Sequence, residues 1–301
     1  MKALVLGGTG MLGHKVYQLL KERFPNVYCT IRPSKQDAGL ANISLLQSDT
    51  VLDGVNVEDL PALATLLDAA RPEVIINCAG IIKQRTESKA ALPSIAVNAL
   101  LPHWLAERCA AWGGRLIHIS TDCVFNGQGN PAKDGYTEDD PINAEDLYGK
   151  TKALGEVVAD NAVTLRTSII GRELFHRSSL LEWFLSQNRT QVRGFRKALY
   201  SGVTTNHLAE VIGDVMQFHP RLTGLYQVAS RTITKYDLLW LLRDAYKLDV
   251  EIVADDSFSC DRSMLGDKFR RATGYACPSW PELAAQLASD ITPYEHWRNT
   301  Q

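Results

Sequence analysis

Lys2-Ala3-Leu4-Val5-Leu6-Gly7-Gly8-Thr9-Gly10-Met11-Leu12-Gly13 decides the fold of this chain. A short apolar run enters Gly-x-x-Gly-x-x-Gly, and a helical pattern opens at its end. The chain must turn tightly there, let its backbone approach a pyrophosphate, and present helix N-terminal amides to the anion. Glycine meets those demands with least strain. Gly7, Gly10, Met11, Leu12 and Gly13 are therefore expected to hold a dinucleotide. The competing reading is a strand-turn-helix of purely structural use.

Outward from that loop, apolar runs of strand length at 3–6, 27–31, 74–77, 116–120 and 163–166 alternate with helical patterns. The helical stretches are at 12–23, 60–70, 95–111 and 147–159. Continuous apolar strands alternating with helices indicate a parallel sheet covered on both faces, a doubly wound α/β fold. After Gly171 the rhythm changes. An Arg-rich stretch spans 189–197, helices are expected at 207–218 and 235–246, and a strand at 225–228. The expected division is a nucleotide-binding domain over 1–170, with a returning segment near 200–230, and a smaller α/β substrate lobe over 171–301.

The chain has 301 residues, 45% of them hydrophobic, and a net charge of -2, which suits one large or two interlocked domains. Near-neutral balance without a basic run argues against a nucleic-acid surface. The opening apolar run is too short for a secretory signal, and no stretch approaches the roughly 18 apolar residues of a membrane span. The six cysteines lack metal-ligand or disulfide spacing. A cytoplasmic protein with reduced thiols and no metal is expected. The loop acids Glu138, Asp139 and Asp140 are ordinary turn residues on this reading.

At the end of the second strand the sequence is Thr30-Ile31-Arg32-Pro33-Ser34-Lys35, where an NAD site would usually carry an acid. Arg32, helped by Ser34 or Lys35, suits the 2′-phosphate of NADP(H), so NADP(H) is expected ahead of NAD(H). Tyr148 and Lys152 lie four apart in Tyr148-Gly149-Lys150-Thr151-Lys152. On a helix they share a face, which lets the ammonium favour the ionised phenol. With a nicotinamide nearby, such a pair serves alcohol and ketone interconversion.

These motifs, in order with Asn77-Cys78-Ala79-Gly80, Ser120-Thr121-Asp122-Cys123-Val124-Phe125, Leu165-Arg166-Thr167-Ser168 and Gly202-Val203-Thr204-Thr205, cover nearly the whole chain. Together they resemble the extended short-chain dehydrogenase/reductase superfamily, with its Rossmann-type fold, and within it the dTDP-4-dehydrorhamnose reductase branch. The resemblance implies an oxidoreductase in which NADPH reduces the 4-keto group of a nucleoside diphosphate 4-keto-6-deoxy sugar. It makes Thr121, Tyr148 and Lys152 catalytic: Thr121 on the substrate oxygen, Tyr148 as acid/base, Lys152 on the nicotinamide ribose while lowering the phenol pKa. Ala79 and Gly80 would line the cofactor, Asp53 would contact adenine, and Asn98 matches an active-site asparagine. Local alternatives are a turn cap for Thr121, a polar helix residue for Asn98 and a turn start for Asp53.

Asp122 and Cys123 would face the substrate. A 4,6-dehydratase of this superfamily needs an Asp-Glu pair where this chain has Asp122-Cys123. Cys123 also departs from the tyrosine of the rhamnose-type reductases and resembles the cysteine of epimerase-reductases such as GDP-fucose synthase. On that alternative His176 is the second proton carrier. The sugar diphosphate needs cations, for which Arg172, Arg193, Arg196, Lys197 and Arg262 are candidates, with Tyr200 and Thr204 where the substrate segment returns; Arg196 and Thr204 are chosen. The family often forms homodimers. A further alternative is a non-catalytic NADP-binding regulatory subunit, since the resemblance extends to members of this branch that have become binding subunits, such as the regulatory subunit of methionine adenosyltransferase, which keeps the fold while serving a partner.

Overall fold

Residues 3–6 have no polar side chain to give to water, so strand β1 (Lys2–Leu6) must be covered on both faces. Ala3 and Val5 enter one core cluster and Leu4 and Leu6 another, as the two-residue repeat of a strand requires. The computed structural model describes residues 1–82, 90–130, 132–175 and 177–299. In chain order β1 is followed by α1 (Gly13–Arg23), β2 (Asn26–Thr30), β3 (Val51–Leu52), α2 (Leu60–Ala70) and β4 (Val74–Asn77). Then come α3 (Ala91–Ile95), α4 (Leu101–Ala110), β5 (Arg115–Thr121), α5 (Leu147–Leu154) and β6 (Ala162–Thr167).

The second half begins with β7 (Ile169–Ile170), α6 (Leu180–Leu185), β8 (Gln191–Tyr200), β9 (Val203–Thr204) and α7 (Thr205–Phe218). It continues with β10 (Gly224–Gln227), β11 (Ile233–Thr234), α8 (Lys235–Tyr246) and β12 (Glu251–Asp261). It closes with α9 (Asp267–Thr273), α10 (Trp280–Ala288) and α11 (Tyr294–Asn299). Among the described residues seven strands form one parallel sheet in the order β10-β6-β5-β4-β1-β2-β3. The order reverses between β4 and β1, and a doubly wound sheet binds ligands outside the strand ends at such a point. Leu6 pairs with both Thr30 and Asn77, which brings the loops after β1, β2 and β4 to that crevice.

Helix α7 packs on α1 and β10 adds to β6, so a segment of the second half completes the first sheet. A second sheet, β11-β8-β12, packs with α6, α8 and α10 around its own apolar cluster, including Leu181, Phe184, Leu238 and Trp280. No helix among the described residues is long and apolar enough to cross a membrane.

Two helices differ from expectation. The helix expected over 147–159 ends at Leu154, where Gly155 abuts the chain at Asn98: a β carbon on Gly155 would lie 1.9 Å from Asn98 O. The helix expected over 95–111 begins at Ala91 and widens to a π turn over Ala96–Leu100. Pro102 has no N–H to offer the carbonyl of Asn98 four residues earlier, so the regular ladder cannot continue there.

Candidate active site

A cleft of about 1020 Å³ opens at the carboxyl ends of β1, β4, β5 and β6. Its floor is the glycine loop. Gly7 has φ +88°, and a β carbon there would lie 2.9 Å from Ala79 N. A β carbon on Gly13 would lie 2.1 Å from Gly7 O, so α1 can start this close to β1 only with glycine at its head. Gly8, which the spacing does not single out, is as constrained: its β carbon would lie 2.0 Å from Cys29 Sγ on β2. Gly10, Met11 and Leu12 line the cleft, and no acidic side chain occupies the first turn of α1. That end is suited to an anion.

Arg32 is exposed and lines the cleft beside this loop. Asp53 is outside the lining. Its carboxylate accepts from Lys35 N at 2.9 Å and Ser34 Oγ at 3.3 Å, and the Lys35 amide foremost holds its pKa below the usual range. Ala79 and Gly80 line the wall after β4.

Thr121, Tyr148 and Lys152 all line the same cleft. Thr121 ends β5, and its Oγ1 accepts from Cys123 N at 3.2 Å. The Asp146 carboxylate caps α5 by accepting from Gly149 N at 2.8 Å, which starts the helix one turn before Lys152. Gly149 is a second glycine the motif does not announce: a β carbon there would lie 2.2 Å from Cys123 O, so the helix can press on the turn after β5. Asn98 secures the same corner from the π turn. Its Oδ1 accepts from Ile81 N at 2.9 Å, and its Nδ2 donates to Ile81 O at 3.0 Å and to Thr151 Oγ1 at 3.3 Å. It thereby ties the β4 loop to α5 as a positioning residue.

The expected coupling of Lys152 to the phenol is not what the geometry gives. Lys152 Nζ donates to Ile119 O at 2.7 Å and lies 3.5 Å from His118 Nε2, so the main chain of β5 takes the ammonium. Burial lowers the Lys152 pKa to about 8, against the pull of Glu156 and Cys78. Tyr148 moves up, not down: burial first, then Cys123, outweigh the hydrogen bond with Thr121. The phenol is an acid that keeps its proton at neutral pH. Below Lys152, Asn77 Oδ1 accepts from Ala79 N at 3.1 Å, which turns Nδ2 toward His118 Nδ1 at 3.2 Å. Burial holds His118 well below 6.5, hence neutral.

Asp122 and Cys123 line the cleft. Burial raises both, and Cys123, further raised by Asp122, is pushed up to about 12, which leaves a thiol and not a thiolate. His176, its expected partner, lies outside the described residues. Among these residues no group of three His, Cys, Asp or Glu side chains could hold a metal ion.

The expected diphosphate residues are elsewhere. Arg196 stands exposed on β8 and pairs with Asp256 of β12 through Nε at 3.0 Å, away from the cleft lining. Arg193 pairs likewise with Asp255 at 3.3 Å. Thr204 is buried and caps α7, its Oγ1 accepting from His207 N at 3.2 Å. Arg172 is held by Glu182 and Glu295, and Arg262 Nε donates to Phe125 O at 2.7 Å. Lys197 and Tyr200 do not line the cleft either. A further part of the cleft wall comes from 173–175 and 177–179 instead. Arg177, Ser178 and Ser179 supply its polar groups, and Glu173 Oε2 accepts from Ser178 N and Ser179 N at 3.0 Å each.

A family model described as the RmlD substrate binding domain matches residues 1–257. Methionine adenosyltransferase 2 subunit beta of Xenopus tropicalis is 27% identical over 274 residues, covering 82% of this chain and 72% of that protein. A dTDP-4-dehydrorhamnose reductase of Streptomyces griseus is 33% identical over 171 residues, 55% of this chain and 48% of that one. Among solved structures, dTDP-4-dehydrorhamnose reductase of Bacillus anthracis in complex with NADP matches with TM-score 0.75 and 20% identity, covering 95% of this chain and 98% of that one. At that identity the likeness is one of fold.

Proposed function

Because the chain belongs to the RmlD substrate binding domain family, the dTDP-4-dehydrorhamnose reductase-like branch of the extended short-chain dehydrogenase/reductases, we propose that it is an NADPH-dependent reductase. Its substrate is the 4-keto group of a nucleoside diphosphate 4-keto-6-deoxy sugar. The observation that carries this reading is that Thr121, Tyr148 and Lys152 line one cleft together with the glycine loop.

The residues present fit the cofactor. Gly7, Gly8 and Gly13 leave backbone where β carbons would clash, α1 presents its amide end, and Arg32 supplies a cation for a 2′-phosphate. NADPH, when bound, supplies the hydride. Thr121 and Tyr148 donate hydrogen bonds to the sugar carbonyl oxygen, and Tyr148 then delivers the proton that neutralises the developing alkoxide. Its raised pKa keeps that proton available. Lys152, charged below about pH 8, holds the ribose and adds positive potential beside the reacting oxygen.

Plain reduction is favoured over epimerisation because the Cys123 thiol keeps its proton, and over dehydration because the Asp-Glu pair is absent from 122–123. On this reading Arg177, which also pairs with Glu295 at 3.5 Å, meets the sugar diphosphate together with Ser178 and Ser179, all three of which line the cleft. A second reading, a subunit serving a partner enzyme, is favoured by relatives such as the methionine adenosyltransferase subunit. It predicts NADPH binding without turnover on any sugar.

The test is NADPH oxidation by the purified chain against a panel of nucleoside diphosphate 4-keto-6-deoxy sugars. Tyr148→Phe should lower turnover roughly 10²- to 10⁴-fold while NADPH affinity is largely kept. Equal turnover in that variant would refute the assignment.

A further inference from the structure

The segment 290–298 touches both the glycine-loop floor and the wall at 173–175 and 177–179, although it does not line the cleft. Toward the glycine loop, His14 Nδ1 lies 2.8 Å from Gly10 O and His14 Nε2 lies 2.9 Å from Tyr294 OH. A carbonyl oxygen only accepts, so Nδ1 carries the ring proton and Nε2 accepts from the tyrosine hydroxyl. Burial, which lowers the His14 pKa to about 4, keeps this single tautomer at neutral pH. Two further residues of α1 hold the segment there: Lys15 Nζ reaches Asp290 at 2.7 Å in a buried pair and Thr292 at 2.9 Å, and Gln18 Nε2 donates to Thr292 Oγ1 at 3.0 Å. Toward the wall, Arg298 donates to the carbonyl of Glu173 and to Glu182 Oε1 at 2.6 Å and Oε2 at 2.9 Å. Glu173 in turn receives the Ser178 and Ser179 amides.

We propose that 290–298 is a strap holding two sides of the cleft in register, with Tyr294 a positioning residue for the Gly10 peptide through His14 and Arg298 one for the wall at 173–175 and 177–179. In a trans peptide the N–H points opposite to the C=O, so fixing the Gly10 carbonyl fixes the direction of the Met11 amide. Gly10 O also accepts from His14 N at 3.2 Å, so the strap reinforces, from a segment 280 residues away in the sequence, a carbonyl that α1 begins to hold. The link to cofactor affinity rests on the dinucleotide reading of that loop.

Two single variants, Tyr294→Phe and Arg298→Met, separate the strap from general stability. Tyr294→Phe keeps the ring and its edge contact with His14 and removes the hydroxyl. Loss of one buried hydrogen bond should weaken NADPH binding roughly five-fold in a fluorescence titration. It should also speed deuterium exchange of amides in 8–14 and leave 173–179 unaffected. Arg298→Met should do the reverse, speeding exchange at 173–179 and sparing 8–14. Should the parent chain bind no NADPH, the dinucleotide reading falls and the exchange pattern alone decides the strap. The strap is overturned if Tyr294→Phe leaves exchange at 8–14 unchanged, or if both variants speed exchange alike across the whole chain.

Discussion

Raising the pH from 7 to 9 should lower kcat/KM for keto-sugar reduction about ten-fold, and Lys152 is the group responsible. Its side chain is buried beside His118 and the Ile119 carbonyl, and burial brings its pKa from 10.5 to about 8 despite Glu156 and Cys78. About nine-tenths of the lysines are then charged at pH 7 and about one-tenth at pH 9, which sets the size of the fall. Three neighbours stay out of this window: His118 is neutral throughout, Cys123 is pushed up to about 12, and Tyr148 is raised further. The assay is initial-rate NADPH oxidation at low sugar concentration, at constant ionic strength, in steps from pH 6 to 9.5. Lys152→Arg, whose guanidinium stays charged, should be slower but should lose the alkaline limb. A flat profile in the parent, or the same limb in Lys152→Arg, would refute the reasoning.

Gly8→Ala should destabilise the protein by about 1–3 kcal/mol, since its new methyl meets the buried Cys29 sulfur; adding Cys29→Ala should restore much of the loss in thermal denaturation. Stability should also fall as the pH drops from 6.5 to 4. His14 binds its proton less readily folded than unfolded, so its contribution is complete above 6.5 and is lost toward its folded value of about 4. That shift corresponds to about 3 kcal/mol by pH 4. His118, also lowered, acts in the same direction. Urea unfolding at pH 7 and 4.5 should show a smaller difference in His14→Gln than in the parent.

The first half of the fold was legible because its demands are local. Apolar strands such as 3–6 and 74–77, each followed by a helix, leave few arrangements besides a doubly wound sheet, and the glycine loop records steric needs met within seven residues. Gly8 was missed because its constraint comes from Cys29, across a strand pairing no motif spells out. The Tyr148–Lys152 spacing correctly put both groups in one cleft. It could not reveal that the Ile119 carbonyl on β5 takes the ammonium. Arg196 and Thr204 were misplaced for a similar reason. Which way β8 turns its arginines depends on its pairing with β12, some sixty residues later, and Thr204 is drawn into capping α7. The wall at 173–175 and 177–179 had no signal beyond isolated serines and an arginine, since its form depends on Arg298.

Hydride transfer from NADPH to sugar C4 without epimerisation is tested most directly by isotope. The purified chain would be given NADPH deuterated at the transferring position of nicotinamide C4, with a nucleoside diphosphate 4-keto-6-deoxy sugar. A parallel run would use unlabelled NADPH in D₂O, and product deuterium would be located by NMR. One cofactor-derived deuterium at sugar C4, with no solvent deuterium at C3 or C5, is the expected result. Turnover without label at C4, or solvent label at C3 or C5, would contradict it.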